Sequence, residues 1–168
     1  MLDYRLRPAC VEDVWFLADV VVGATRAQGR LSSDFDERQW RQGFVEWTTA
    51  QIRGETPDSA TSVVEVEEER VGRVRVARTA DHIELCGIQL LPDVQRHGIG
   101  TAIIEELQAE AAAAGLPLDL GVEKDNPDAR RLYERLGFVL VGVTDEEFKL
   151  RWDPRPDSDP PLPPSDPV

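Results

Sequence analysis

Between Gln95 and Thr101 the chain reads Gln-Arg-His-Gly-Ile-Gly-Thr. An apolar run, Ile83 to Leu91, precedes it, and an alanine-rich helical run, Thr101 to Ala114, follows. A strand, a glycine loop and a helix start in succession leave backbone N–H groups unpaired where the helix dipole is positive. Such a junction binds anions, most often phosphate. Gly98 and Gly100 let the backbone come close to the anion, and Arg96 and His97 can add charge from the rim. The loop is not a P-loop, because no Gly-Lys-Ser/Thr follows. Thr101-Ala102-Ile103 after Gly100 also breaks the dinucleotide pattern Gly-x-Gly-x-x-Gly. Glycines at a β–α junction serve tight turns as well, so the loop alone leaves both readings open.

A second segment runs from Val122 to Phe138. Asn126 suits an N-cap, Pro127 the first helical position, and Asp128 complements the dipole. Leu132, Tyr133 and Leu136 share one apolar face. Gly137 fits the left-handed position beyond the helix, with Phe138 closing the end. The spacing predicts a short helix with both ends specified.

Together the two segments resemble the GNAT superfamily of N-acetyltransferases. The first matches its acetyl-CoA loop, Gln/Arg-x-x-Gly-x-Gly/Ala, and the second its Asn-x-x-Ala-x-x-Leu-Tyr-x-x-x-Gly-Phe segment. Arg7-Pro8-Ala9 followed by Glu12-Asp13 also looks like the usual start of this superfamily. The resemblance spans residues 3–152 and is strongest over 83–138. It implies acetyl-CoA as cosubstrate, its pyrophosphate held by Gln95, Arg96, His97, Gly98, Ile99, Gly100 and Thr101. It also places the pantetheine arm along the backbone of Ile88, Leu90 and Leu91, and adds Asn126 and Ala129 to the cofactor-binding set.

Acyl transfer to an amine needs a neutral nucleophile, a polarised thioester carbonyl and a proton for the leaving thiolate. The resemblance makes Tyr133 the acid, near the CoA sulfur. A lone tyrosine on an amphipathic helix is otherwise a core residue with its hydroxyl satisfied. Glu84 is the candidate base, because the histone-acetyltransferase branch carries its glutamate at this same offset, eleven positions before Gln95. Among Ile83, Leu85 and Cys86 its carboxylate would be partly desolvated. The alternative is a strand-edge glutamate that faces solvent or pairs with Arg73 or Arg75. A branch acting on protein N-termini takes its base from the next strand, where this chain has Gly121.

Cys86 reads as a small buried hydrophobe rather than an acetyl carrier. His82 and His97 are too few and too scattered for a metal, so no metal is expected. Trp15, Trp40, Phe44 and Trp47 are either core or the wall of an acceptor pocket, and helical spacing favours core.

Composition sets outer bounds. With 168 residues, 41% hydrophobic and 30% charged, the chain can form one globular domain. A formal net charge of −13 argues against a nucleic-acid partner and is compatible with a cationic acceptor. No run suits a membrane span or a signal peptide, and the two cysteines lack metal-type spacing; a reducing cytoplasm is the expected location.

The elements that must position these residues follow from periodicity. A strand is expected over Asp3–Pro8, a helix over Val11–Val22, a loop over Gly23–Ser33 and a helix over Asp36–Arg53. Gly54 to Ala60, with Pro57, is a break. Strands Thr61–Glu67 and Val71–Ala77 form a hairpin through Glu68-Glu69, and Thr79 to Asp81 turns into Ile83–Leu91. Gly115 and Pro117 end the long helix before a short strand, Leu118–Val122, parallel to Ile83–Leu91. Phe138–Val143 and Glu147–Trp152 are the last strands, turning at Thr144-Asp145-Glu146. From Asp153 the composition shifts: seven of twelve prolines fall in the last sixteen residues, so 153–168 is expected to be a flexible tail on a 1–152 domain.

The expected fold is mixed α/β: a central, mostly antiparallel sheet with a parallel β-α-β crossover at the acetyl-CoA loop, flanked by helices. The expected function is acetyl transfer from acetyl-CoA to a primary amine of a small molecule or protein, by direct attack in a ternary complex. The runner-up is a non-catalytic acyl-CoA-binding sensor or interaction domain. The acceptor's identity and a homodimer are left open.

Overall fold

The computed structural model describes residues 3–55 and 59–155. Its strands are Arg5–Pro8 (β1), Ser59–Val66 (β2), Glu69–Arg78 (β3), Ile83–Leu90 (β4), Leu118–Glu123 (β5), Val139–Val143 (β6) and Glu147–Trp152 (β7). Its α-helices are Val14–Ala27 (α1), Glu37–Ile52 (α2), Ile99–Ala114 (α3) and Pro127–Arg135 (α4), with 3₁₀ turns at Val11–Asp13 and Pro92–Val94. The strands form one sheet in the order β1-β2-β3-β4-β5-β7-β6. Neighbours are antiparallel except β4 and β5. The mixed sheet with its single parallel crossover through α3 is the fold class expected from sequence.

Alternation along the strands gives the sheet two different faces. On one face, Val74, Val76, Ile83, Leu85, Leu90, Leu118, Leu120 and Leu150 pack with Ile99, Ile103, Ile104 and Leu107 of α3 and with Tyr133 of α4. The opposite face is apolar only under α1, where Leu17, Ala18, Val20 and Val63 are fully buried. Further along it carries Arg73, Arg75, Glu84, Glu147 and Lys149, which α1 and α2 leave partly open.

The feature that shapes the site is an interruption in pairing. β4 and β5 pair only at Ile83↔Leu118, Glu84↔Asp119 and Leu85↔Leu120. Beyond Leu85, β4 continues to Leu90 bonded to β3, while β5 continues to Glu123 bonded to β7. The cause lies at the next residue. β3 pairs Val76 with Leu85 and Arg75 with Gly87, so Cys86 is an extra residue on β4. Such a bulge bends its strand and sharpens the twist. β4 therefore parts from β5 where the bulge begins, and a gap opens through the sheet.

Several boundaries differ from expectation. α1 runs through Gly23 to Ala27 instead of yielding to a loop. Burial of Val22 and Ala24 outweighs the helix cost of one glycine. α3 starts at Ile99, so Gly100 lies within its first turn. The β2–β3 turn is Glu67-Glu68, one residue earlier than expected, and both residues adopt positive φ (50° and 69°). A two-residue hairpin turn demands that conformation even of glutamates. β7 threads between β5 and β6, which the hairpin reading did not specify. At the C-terminal side, Arg155 Nη2 donates to the Gly115 carbonyl at 2.7 Å, so the chain still touches the domain past 152. The remainder of the expected tail, and Pro57 of the expected break, lie outside the described residues.

Candidate active site

The glycine loop is built around the start of α3. Gly98 is the N-cap residue at φ 83°, a left-handed conformation that glycine adopts without strain, and no side chain caps the helix. The first N–H groups, at Ile99, Gly100 and Thr101, thus have no intrahelical partner. Gln95 does not point outward: its Nε2 donates to the Leu90 carbonyl at 2.9 Å and ties the loop to the end of β4. Arg96 holds φ 65°, an uncommon state for a side-chain-bearing residue, and both Arg96 and His97 are exposed. Ile99 is a core side chain, so only its backbone can face a ligand. A Cβ added at Gly100 would meet only Leu90 Cδ1, at 4.0 Å, so the fold leaves open space there.

The gap continues from this loop. The Leu91 N–H donates to Val71 O at 2.8 Å, which commits that group to β3. By strand alternation the backbone groups of Leu90 and Ile88 point the other way, to the unpaired edge facing β5. Of the three residues expected along the pantetheine arm, Ile88 therefore presents free backbone and Leu90 its N–H, its carbonyl being taken by Gln95, while Leu91 has spent its donor.

Asn126 caps α4 as its position predicts, accepting from the Ala129 N–H at 3.3 Å. Tyr133 lies on the same buried face as Leu85, Leu90, Leu120 and Val122, the strand residues that border the gap. Its ring meets Phe138 edge-on at 5.9 Å. Burial pushes the Tyr133 hydroxyl above the ordinary tyrosine range, so it is protonated at neutral pH.

Glu84 sits on the other face of the sheet. It lines a cavity of about 340 Å³ together with Arg75, Cys86, Gly121, Glu147 and Lys149. The alternative in which Glu84 pairs with Arg73 or Arg75 does not occur. Arg73 Nη1 bonds Gln89 Oε1 at 2.7 Å, and Arg75 Nη1 bonds Ser59 Oγ at 3.3 Å. Tyr133 and Glu84 are thus not in contact; they flank the gap from opposite faces. Burial raises the Cys86 thiol above its ordinary value even though the Arg75 charge works the other way. Cys86 is consequently a thiol, not a thiolate.

The cavity contains groups that sequence reasoning missed. Glu147 and Lys149 were read only as part of the last strand, yet they pair at 2.5 Å over Gly121. A Cβ at Gly121 would lie 2.7 Å from Glu147 Oε2, so this carboxylate fills the place of the missing β5 side chain. Arg73 and Arg75 entered only as partners for Glu84. Their alternation with valines did place them on one strand face. Burial, then the neighbouring Arg75 charge, pushes Arg73 down to about 10. The four aromatics are not the core that helical spacing favoured: Trp15 is 59% exposed and Trp47 42%. Trp40 stacks on Phe44, and the Phe44 and Trp47 rings lie against Arg73 and Arg75 at 5.4 and 4.7 Å.

Among the described residues, no helix is long and apolar enough to cross a membrane. Comparison with solved structures finds the same fold. A PaiA N-acetyltransferase from Thermoplasma acidophilum, in complex with coenzyme A, superposes with TM-score 0.76 at 18% identity, covering 90% of this chain and 99% of that one. An acetyltransferase from Thermus thermophilus gives 0.72 at 18% identity, covering 90% and 97%. A spermidine N-acetyltransferase from Vibrio cholerae gives 0.64 at 17%, covering 90% and 94%. The sequence model of the acetyltransferase (GNAT) family matches residues 27–138, a stretch that holds α2, the bulged β4, the glycine loop and α4. This chain belongs to the acetyltransferase (GNAT) family and is an acyltransferase.

Proposed function

We propose that this protein transfers an acetyl group from acetyl-CoA to a primary amine by direct attack in a ternary complex. The observation that carries the reading is the gap after Leu85 and Leu120. It joins an anion-binding helix start on one face of the sheet to a polar cavity on the other. Coenzyme A in the Thermoplasma relative supports the assignment of the donor.

In this reading the α3 N–H groups hold the pyrophosphate, and the free edge at Ile88 and Leu90 aligns the pantetheine. The thioester then lies in the gap. Glu84 takes a proton from the ammonium of the acceptor. The freed nitrogen attacks the thioester carbonyl, the C–S bond breaks, Tyr133 gives its proton to the departing sulfur, and the second proton that the nitrogen sheds as the amide forms restores the phenol through solvent. Burial supports that role, because it keeps the phenol protonated until the thiolate forms.

Thiol release from acetyl-CoA should be measured across polyamines, aminoglycosides, amino acids and N-terminal peptides. At least one class is expected to accelerate release well above hydrolysis. Tight CoA binding with no acceptor-dependent release would instead identify a binding module that has kept the fold.

A further inference from the structure

The cavity is lined by two cations and two anions, but only one of each is paired. Lys149 is neutralised by Glu147. Arg75 and Glu84 remain, a cation and an anion lining one space, without an ion-pair partner among the described residues. They do not pair with each other. Behind Arg75 stands Arg73, two residues earlier on the same face of β3 and only 7% exposed. The Nε groups of both arginines are buried with no hydrogen-bond partner. Among the described residues, no carboxylate forms an ion pair with either arginine, although Glu84 lines the same cavity as Arg75. Two guanidiniums held side by side under aromatic rings repel each other unless an anion sits between them.

We infer that the acceptor is a zwitterionic amine, of the amino-acid class, whose carboxylate docks on Arg75 while its ammonium faces Glu84. This rests on the acetyl-transfer reading above. A zwitterion supplies one charge of each sign and matches the two uncompensated groups. A polyamine would add cations beside Arg75 and leave the arginines unrelieved. A cavity of about 340 Å³ has the capacity for one small molecule of this kind. The net charge of −13 alone would suggest a purely cationic acceptor, but the ligand meets one unpaired cation as well as one unpaired anion inside the cavity.

The test uses the CoA-loaded full chain and matched probes: a panel of amino acids, the same compounds as carboxamides, and spermidine. Calorimetric binding and thiol release from acetyl-CoA are both read. Carboxylates are expected to outperform their amides by roughly ten- to a hundredfold in affinity and in kcat/KM. Arg75→Gln should abolish that ratio, and Arg75→Lys should restore part of it, with CoA affinity unchanged in both. Equal binding of acids and amides, a preference for spermidine, or a ratio unaltered in Arg75→Gln overturns the inference while leaving acetyl transfer intact. Carboxylate-dependent binding without thiol release contradicts acetyl transfer and leaves the anion site standing.

Discussion

In the proposed mechanism Tyr133 and Glu84 have opposite requirements, and single substitutions separate them. The buried phenol must keep its proton until the thiolate forms, so Tyr133→Phe should lower kcat by roughly 10²-fold and leave acetyl-CoA affinity near that of the wild type. Because burial raises the Tyr133 hydroxyl, no loss of rate from its ionisation is expected below about pH 10. Glu84→Gln should lower the rate and remove the acidic limb of the pH profile. An unchanged limb would move the base to Glu147, whose carboxylate covers Gly121. Gly100 offers a cleaner probe than Gly98. The fold leaves space at Gly100, whereas Gly98 is held at positive φ. Gly100→Val should therefore keep the melting temperature and lose CoA affinity by roughly tenfold or more, read by calorimetry. Retained affinity would place the pyrophosphate elsewhere. The sequence exposed these residues because each stands at a fixed offset in a local pattern. It brought in Arg75 only as a partner for Glu84 and hid Glu147 and Lys149, because their meeting depends on how β3, β4 and β7 align across the sheet.

At the scale of elements, two buried carboxylates hold the N-terminal edge: Glu65 bonds Arg5 and Arg7 of β1, and Asp13 ties the edge to the start of α1. Asp13 Oδ2 accepts from Arg7 Nη1 at 2.7 Å and from the Cys10 N–H at 2.9 Å, and Oδ1 accepts from Arg7 Nη2 at 3.0 Å and Arg70 Nη1 at 3.3 Å. The Arg7 hydrogen bonds hold the Asp13 carboxyl well below the usual carboxylate range. Its folded value lies under its unfolded one, about 3.9. The stabilisation is therefore complete above that pH and drains away as pH falls below it. Urea titrations should show Asp13→Asn less stable by about 3 kcal/mol at neutral pH, with a shallower loss on the acid side than wild type. Equal stability of the two proteins would mean the cluster does not hold β1 and α1. Element types were legible where caps and periodicity agreed, as at Asn126; periodicity alone placed the helix from Asp36, whose side chain caps it by accepting from the Gln39 N–H at 3.0 Å. The bulge at Cys86 was not legible. Only the register against β3 defines it, and that bulge opens the gap on which the site depends.

For the whole molecule, the sheet is a wall with a slit, and the proposed reaction has the donor on the α3 side and the acceptor on the α1–α2 side. Direct transfer across the slit would need both substrates at once. Initial-rate plots against each substrate should intersect, because Cys86 is held as a thiol by burial and cannot readily carry the acetyl group. Cys86→Ala should keep most activity, and parallel plots or acetyl-Cys86 by mass spectrometry would contradict direct transfer. Overall order was readable from the strand, loop and helix sequence, but the insertion of β7 between β5 and β6 was not, since that pairing is set by long-range contacts. Net charge likewise described the outer surface and not the cavity. The most direct measurement supplies acetyl-CoA labelled in its acetyl carbonyl together with the acceptor panel, and quantifies free thiol and labelled amide in the same reaction. Direct acetyl transfer predicts equal amounts of thiol and N-acetyl product, both dependent on the amine. Thiol without labelled amide, or no amine dependence, would contradict it.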